Sequence, residues 1–168
     1  GADALLADSV GVAGDIAAAT GCGLLAEGMN KRLQRGAGRV AVDRIPYPVD
    51  QALALLAPYQ RIVMVGARHP AAFFAYPDTP SLVTAPGCEV FALAGAEQDC
   101  PGALQALAEV LDVAPGGATR QALDRPQTPT GAISPESIAQ AVAALLPENA
   151  IVVDESVTTG RRFLPATA

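Results

Sequence analysis

The residues best placed for chemistry lie near the end of the chain: Asp154-Glu155-Ser156-Val157-Thr158-Thr159-Gly160. They follow Ala150-Ile151-Val152-Val153, an apolar, β-branched run that predicts a short buried strand. Acidic and hydroxyl side chains directly after a buried strand are costly unless they bind something. In α/β sheets, ligands gather where strands end and loops begin. Ser and Thr hydroxyls with open backbone N–H groups suit a diphosphate. The other reading is a helix cap, with Ser156 or Thr158 capping the next helix. One helix end can serve as both cap and anion site.

Three further sets of residues carry weaker signals. Arg68 and His69 follow the apolar run Ile62–Val65 and could hold a phosphate or carboxylate. A solvated or acid-paired Arg68 and a turn-capping His69 fit the same pattern. Cys22, Cys88 and Cys100 have wide, irregular spacing and no adjacent base, so buried or inert thiols are expected. Gly11, Gly14, Gly21 and Gly23 suggest a dinucleotide loop. That fingerprint requires strand, then G-x-G-x-x-G, then helix. These glycines fall inside or after a helical pattern, which points to packing and turns. No catalytic residue and no metal ligand set is predicted, and the single His69 excludes a multi-histidine site.

The elements that must position these groups follow from periodicity. Residues 4–19 predict a helix with Leu6, Val10, Ala13 and Ala17 on one face. Gly11 and Gly14 weaken it unless they allow close approach to a sheet. Thr20-Gly21 should end it. Short strands are expected at residues 23–27, 62–65 and 89–93, with another possible at 81–83. Helices are expected at about 49–57, from Pro101 to Asp112, and at 135–146 with Ser134 as N-cap. The continuous apolar run Ile62–Val65 predicts a strand covered on both faces. Alternating helices and strands with short connections imply an α/β fold with a parallel sheet. A strand normally precedes the first helix of such a fold, so the sheet is expected to lack its first strand. Residues 113–133 are rich in proline and poor in large apolar residues, and read as a linker.

Composition narrows the function classes. A chain of 168 residues can hold one core, or one domain and part of another. Its net charge is −6 and no Lys/Arg run exceeds two, which argues against nucleic acid or anionic membrane as partner. No apolar run approaches the roughly 20 residues that span a bilayer. Three cysteines without metal or disulfide spacing suggest reduced thiols in a cytoplasm. The chain starts at Gly1 rather than Met and is read as a fragment.

Three segments resemble one known family: Arg44-Ile45-Pro46-Tyr47-Pro48-Val49-Asp50-Gln51-Ala52, Val65-Gly66-Ala67-Arg68-His69-Pro70 through Phe73-Phe74-Ala75-Tyr76-Pro77, and Leu145-Leu146-Pro147 through Ile151-Val152-Val153-Asp154-Glu155-Ser156. They look like the thiamine-diphosphate enzymes of the acetolactate synthase/benzoylformate decarboxylase type. The resemblance implies a central Rossmann-like (DHS-like) domain at residues 1–112, an interdomain linker at 113–133, and the first piece of the diphosphate-binding domain at 134–168. It places Ser156, Thr158 and Thr159 at the cofactor diphosphate; Val157 departs from the hydroxyl found there in some relatives. It also implies a parent enzyme that uses thiamine diphosphate and Mg²⁺ on a 2-oxo acid, as decarboxylase or carboligase, and that forms a homo-oligomer. The family's activating glutamate lies in its first domain and its Gly-Asp-Gly…Asn metal motif further along its third. Neither is in this sequence, so the chain alone is expected to be catalytically silent and to bind no cofactor. FAD, held by the central domain of acetolactate synthases, is not expected. The competing readings are a free-standing Rossmann-like binder of FAD, NAD or coenzyme A, and a non-catalytic subunit-interaction domain.

Overall fold

The first helix, α1 (Ala7–Thr20), starts later than the expected 4–19: a 3-10 turn (Ala2–Leu5) precedes it, and Leu6, expected on its inner face, is its extended N-cap. Gly21 ends it in the left-handed region at φ 75°, and the Thr20 hydroxyl donates back to the Ile16 carbonyl (2.7 Å). These features belong to a computed structural model that describes residues 1–156 and 158–167. The described residues fall into two units. One comprises Gly1–Arg35 with Arg39–Thr119, and the other Gly36–Gly38 with the residues from Arg120 on.

In the first unit the remaining elements are β1 (Leu25–Ala26), β2 (Asp43–Arg44), α2 (Val49–Leu56), β3 (Arg61–Val65), β4 (Glu89–Ala94) and α3 (Cys100–Val110). The strands form two parallel pairs, β1 with β2 and β3 with β4, rather than one continuous sheet. In the second pair Ile62 faces Val90 and Val63 faces Phe91, and the register shifts between Met64 and Val65. Residues 81–83 do not form a strand; Leu82 makes an isolated antiparallel bridge to Ala71. Strand β2 is an addition to the sequence reading, which left residues 39–44 without an element.

Two apolar clusters hold this unit. Ala4, Ile16, Ala94, Cys100, Leu104 and Ala108 pack between α1, α3 and the end of β4, with Val65 beside them. Val49, Ala52, Leu56 and Val83 form the second, covered by Leu25, Ile45, Leu53, Tyr59, Ile62 and Ala72. The start of α3 is set by the Asp99 side chain, which accepts from the Gly102 N–H (2.9 Å), with Pro101 in the first turn.

The two helical glycines behave differently. A Cβ on Gly14 would lie 2.7 Å from Val40 Cγ2 and 2.8 Å from the Ala118 Cβ, whereas one on Gly11 would meet nothing within 4 Å. Gly14 therefore serves close approach, to the Val40 and Ala118 segments rather than to a strand. Gly14→Ala is expected to destabilise the unit by about 1–2 kcal/mol, because overpacking outweighs the gain in helix propensity. Gly11→Ala is expected to stabilise it by up to about 1 kcal/mol. Urea denaturation of the two variants checks both signs.

In the second unit α4 (Pro135–Leu145) starts at a reciprocal capping box. Ser134 Oγ accepts from the Ser137 N–H (3.1 Å), and Ser137 Oγ accepts from the Ser134 N–H (2.8 Å). A 3-10 turn (Thr159–Arg162) and the single-turn α5 (Phe163–Ala166) pack on α4. The buried strand expected at 150–153 does not form. Ile151 and Val153 are 87% and 79% exposed and the backbone makes no ladder. An extended segment becomes a buried strand only beside partners that satisfy its backbone and cover its faces. No strand is present in this unit among the described residues.

Candidate functional site

The hydroxyl-rich loop folds onto its own acid. Asp154 Oδ1 accepts from the Ser156 N–H (3.0 Å) and from the Ser156 hydroxyl. Gly160 is buried beneath this pair, and a Cβ there would run into Ser156 Oγ and the Asp154 carboxylate. Thr158 occupies the N-cap position of the 3-10 turn but makes no side-chain cap bond, and Thr159 is the first residue of that turn. Neither Ser156 nor Thr158 therefore acts as the helix cap that the sequence allowed. Val157 lies outside the described residues. Ser156 and Thr159 are exposed, as are Asp154 and Glu155.

The loop is tied back to α4 by charge. Arg162 Nε meets Glu136 Oε1 at 3.0 Å. Bonding to its own backbone N–H, reinforced by Arg162, holds the Glu136 carboxyl below the usual carboxylate range.

Do these residues fit a diphosphate? Taken alone, they do not. The N–H and hydroxyl of Ser156 are already used by Asp154, and the Asp154 and Glu155 carboxylates would repel an anion. No group of three or more His, Cys, Asp or Glu among the described residues could gather a metal ion to offset that charge.

At the other candidate residues, the backbone N–H of Arg68 donates to Glu27 Oε1 (2.8 Å). His69 Nδ1 donates to the Pro70 carbonyl (3.2 Å), which only accepts, so the ring carries its proton there. Cys22 is exposed, Cys88 half-buried and Cys100 buried. Cys100 Sγ donates to the Gly95 carbonyl (3.3 Å), and burial pushes its thiol pKa up, opposite to what a nucleophile needs.

One residue that sequence reasoning missed is Gln34. Its Oε1 accepts from the Ala7 N–H at the amino end of α1 (2.6 Å), and its own N–H donates to the Leu5 carbonyl (3.1 Å). In dinucleotide-binding folds the pyrophosphate takes that helix end. Here the Gln34 side chain takes the first of its N–H groups. No local pattern marks Gln34, because the contact joins residues 27 positions apart.

Tyr47, Phe73, Phe74 and Tyr76 form a half-exposed aromatic ridge, with Phe73 and Phe74 edge to face at 4.7 Å. Among the described residues no helix is long and apolar enough to cross a membrane.

The chain is 45% identical, over 170 aligned positions and its whole length, to the "Putative acetolactate synthase large subunit IlvX" of Mycobacterium tuberculosis. It spans 32% of that relative's length. No family model matches, and no solved structure matches. The likeness read from residues 44–52, 65–77 and 145–156 is thus matched by similarity to this relative over the entire sequence.

Proposed function

We propose that this chain is a structural part of a thiamine-diphosphate- and Mg²⁺-dependent 2-oxo acid decarboxylase or carboligase of the acetolactate synthase type. On this reading residues 1–112 are a Rossmann-like central domain, 113–133 a linker, and 134–168 the opening of the diphosphate-binding domain. The enzyme is cytoplasmic and homo-oligomeric. The observation that carries the reading is the 45% identity to an acetolactate synthase-like relative across the whole chain. The parallel strand pairs with flanking helices are compatible with it.

Ser156, Thr158 and Thr159 would then contribute to the cofactor surface once residues outside this chain supply the metal ligands and release Ser156 from Asp154. The 168 residues alone are catalytically silent. The free-standing nucleotide-binder reading is disfavoured by Gln34, which takes the Ala7 N–H at the amino end of α1.

A chimaera tests the proposal. The matching residues of the M. tuberculosis relative are exchanged for this chain, and thiamine diphosphate uptake is measured by calorimetry. The chimaera is expected to bind the cofactor about as tightly as the relative. A folded chimaera that loses a binding the relative shows would count against the reading. Equilibrium dialysis of the isolated chain with FAD, NAD and coenzyme A should show no uptake.

A further inference from the structure

Residues 70–83 fold back on themselves and carry aromatic rings to the start of α2. The Ala72 N–H donates to the Ser81 carbonyl (2.8 Å), the Val83 N–H donates to the Pro70 carbonyl (3.2 Å), and Ala71 bridges Leu82. Val83 is buried in the cluster that also holds Val49, the first residue of α2, and Ala72 packs against that cluster. The base of the loop is thereby pinned beside α2. Its tip is closed by Thr79, whose N–H and hydroxyl both donate to the Tyr76 carbonyl (3.4 and 3.2 Å). Prolines stiffen both segments, with Pro46 and Pro48 around Tyr47 and Pro77 directly after Tyr76.

A cleft of about 280 Å³ opens between the two segments, lined by Tyr47, Pro48, Val49, Asp50, Tyr76 and Thr79. Its two tyrosines belong to one run of ring contacts. Tyr47 lies 6.0 Å from Phe73, Phe73 lies 4.7 Å from Phe74, and Phe74 lies 6.2 Å from Tyr76, centroid to centroid. Asp50 is the one charged residue of the lining, and it makes no salt bridge among the described residues. Its place in the first turn of α2 suits the helix dipole, but that role needs no ring beside it. Aromatic faces carry negative charge density and attract cations. Rings and carboxylate in one cleft therefore favour the same sign of ligand charge.

We propose that this cleft binds an organic cation, an alkylammonium or guanidinium group, with Tyr47 and Tyr76 against its apolar shell and Asp50 as its counter-charge. The lining sets the class of ligand. A metal ion needs several oxygen ligands at close range, and one carboxylate with one threonine hydroxyl does not supply them. A neutral apolar group would take water from the Asp50 carboxylate and give nothing in return. An anion would be repelled by the same carboxylate. A weakly hydrated organic cation loses least on leaving water and meets the rings and the acid together. The site uses no residue of the Asp154–Gly160 loop, so the inference is independent of the cofactor reading.

The test titrates the 168-residue chain with tetramethylammonium chloride at constant ionic strength, with sodium chloride as the balancing salt. Binding is read from the NMR amide shifts of Tyr47, Asp50, Tyr76 and Thr79. Saturable shifts with a Kd of about 1–10 mM are expected. Trp is absent and two of the three tyrosines line the cleft, so tyrosine emission gives a second readout. Neopentyl alcohol, of similar size but uncharged, should bind at least about fivefold more weakly. Asp50→Asn should raise the Kd for the cation about fivefold. Asp50 is exposed, so that variant keeps the fold. A parallel titration with acetyl-arginine amide separates the sources: tighter binding of the arginine compound assigns the site to a partner's side chain, and tighter binding of tetramethylammonium assigns it to a free small molecule. No saturation by either cation up to about 50 mM would overturn the inference. So would an equal response to neopentyl alcohol, or an unchanged Kd in Asp50→Asn.

Discussion

Leu56→Ala lowers the melting temperature of the first unit by roughly 5–15 °C, the equivalent of about 2–5 kcal/mol. Leu56 is 1% exposed and sits among Val49, Ala52 and Val83. It anchors α2, a helix of only eight residues, so few other contacts can compensate. The neighbours come from separate elements, with Leu25 in β1, Ile62 in β3 and Tyr59 in the turn between α2 and β3. They cannot collapse together into the void, which places the cost toward the upper end of the range. Val110→Ala in α3 is the control. That side chain is 83% exposed, and its loss should change stability by no more than about 0.5 kcal/mol. Thermal melts of the two variants beside the parent chain read both effects.

The second large effect is complete inactivity. Given thiamine diphosphate, Mg²⁺ and a 2-oxo acid, the isolated chain is expected to release no carbon dioxide above the uncatalysed rate. Calorimetry should show no saturable heat with cofactor up to about 1 mM, a concentration at which even an interaction of about 4 kcal/mol would register. The physical reason is the arrangement at Asp154. Its carboxylate holds the N–H and hydroxyl of Ser156, and among the described residues no group of three or more His, Cys, Asp or Glu could gather a metal ion there. In a longer protein with the metal motif in place, Ser156→Ala should raise the dissociation constant of the cofactor about ten- to a hundredfold, the range for one hydrogen bond to a charged group. The same substitution in the isolated chain should barely move Tm, because Ser156 is exposed.

What the sequence made legible follows how local each signal is. The α1 pattern of Val10, Ala13 and Ala17 and the Ser134-Pro135 cap are written within a few residues of the structure they specify, although Leu6, read as part of that pattern, is the extended N-cap. So is the apolar run that becomes β3, but the expected cover on both faces is absent, with Val63 54% exposed. Strand β2 was missed because Asp43-Arg44 is charged; it pairs only because β1 lies beside it. Residues 150–153 show the reverse case. Ile151, Val152 and Val153 have the composition of a buried strand, yet burial requires neighbours that a sequence window does not supply. The candidate site was legible in residue type but not in geometry. The capture of Ser156 by Asp154 depends on the turn at Gly160, and Gln34 reaches α1 across a whole strand and loop. The Phe73–Tyr76 stretch, by contrast, carried the family resemblance although it shows no catalytic geometry.

The most direct test of the central proposal is the coding sequence on either side of these 168 residues, read from the transcript. The account predicts an open reading frame in both directions. Upstream, an apolar strand should lead into Gly1, preceded by a domain that carries the activating glutamate. Downstream of Ala168 a Gly-Asp-Gly…Asn metal motif should follow. A start codon immediately before Gly1 together with a stop codon immediately after Ala168 would contradict it.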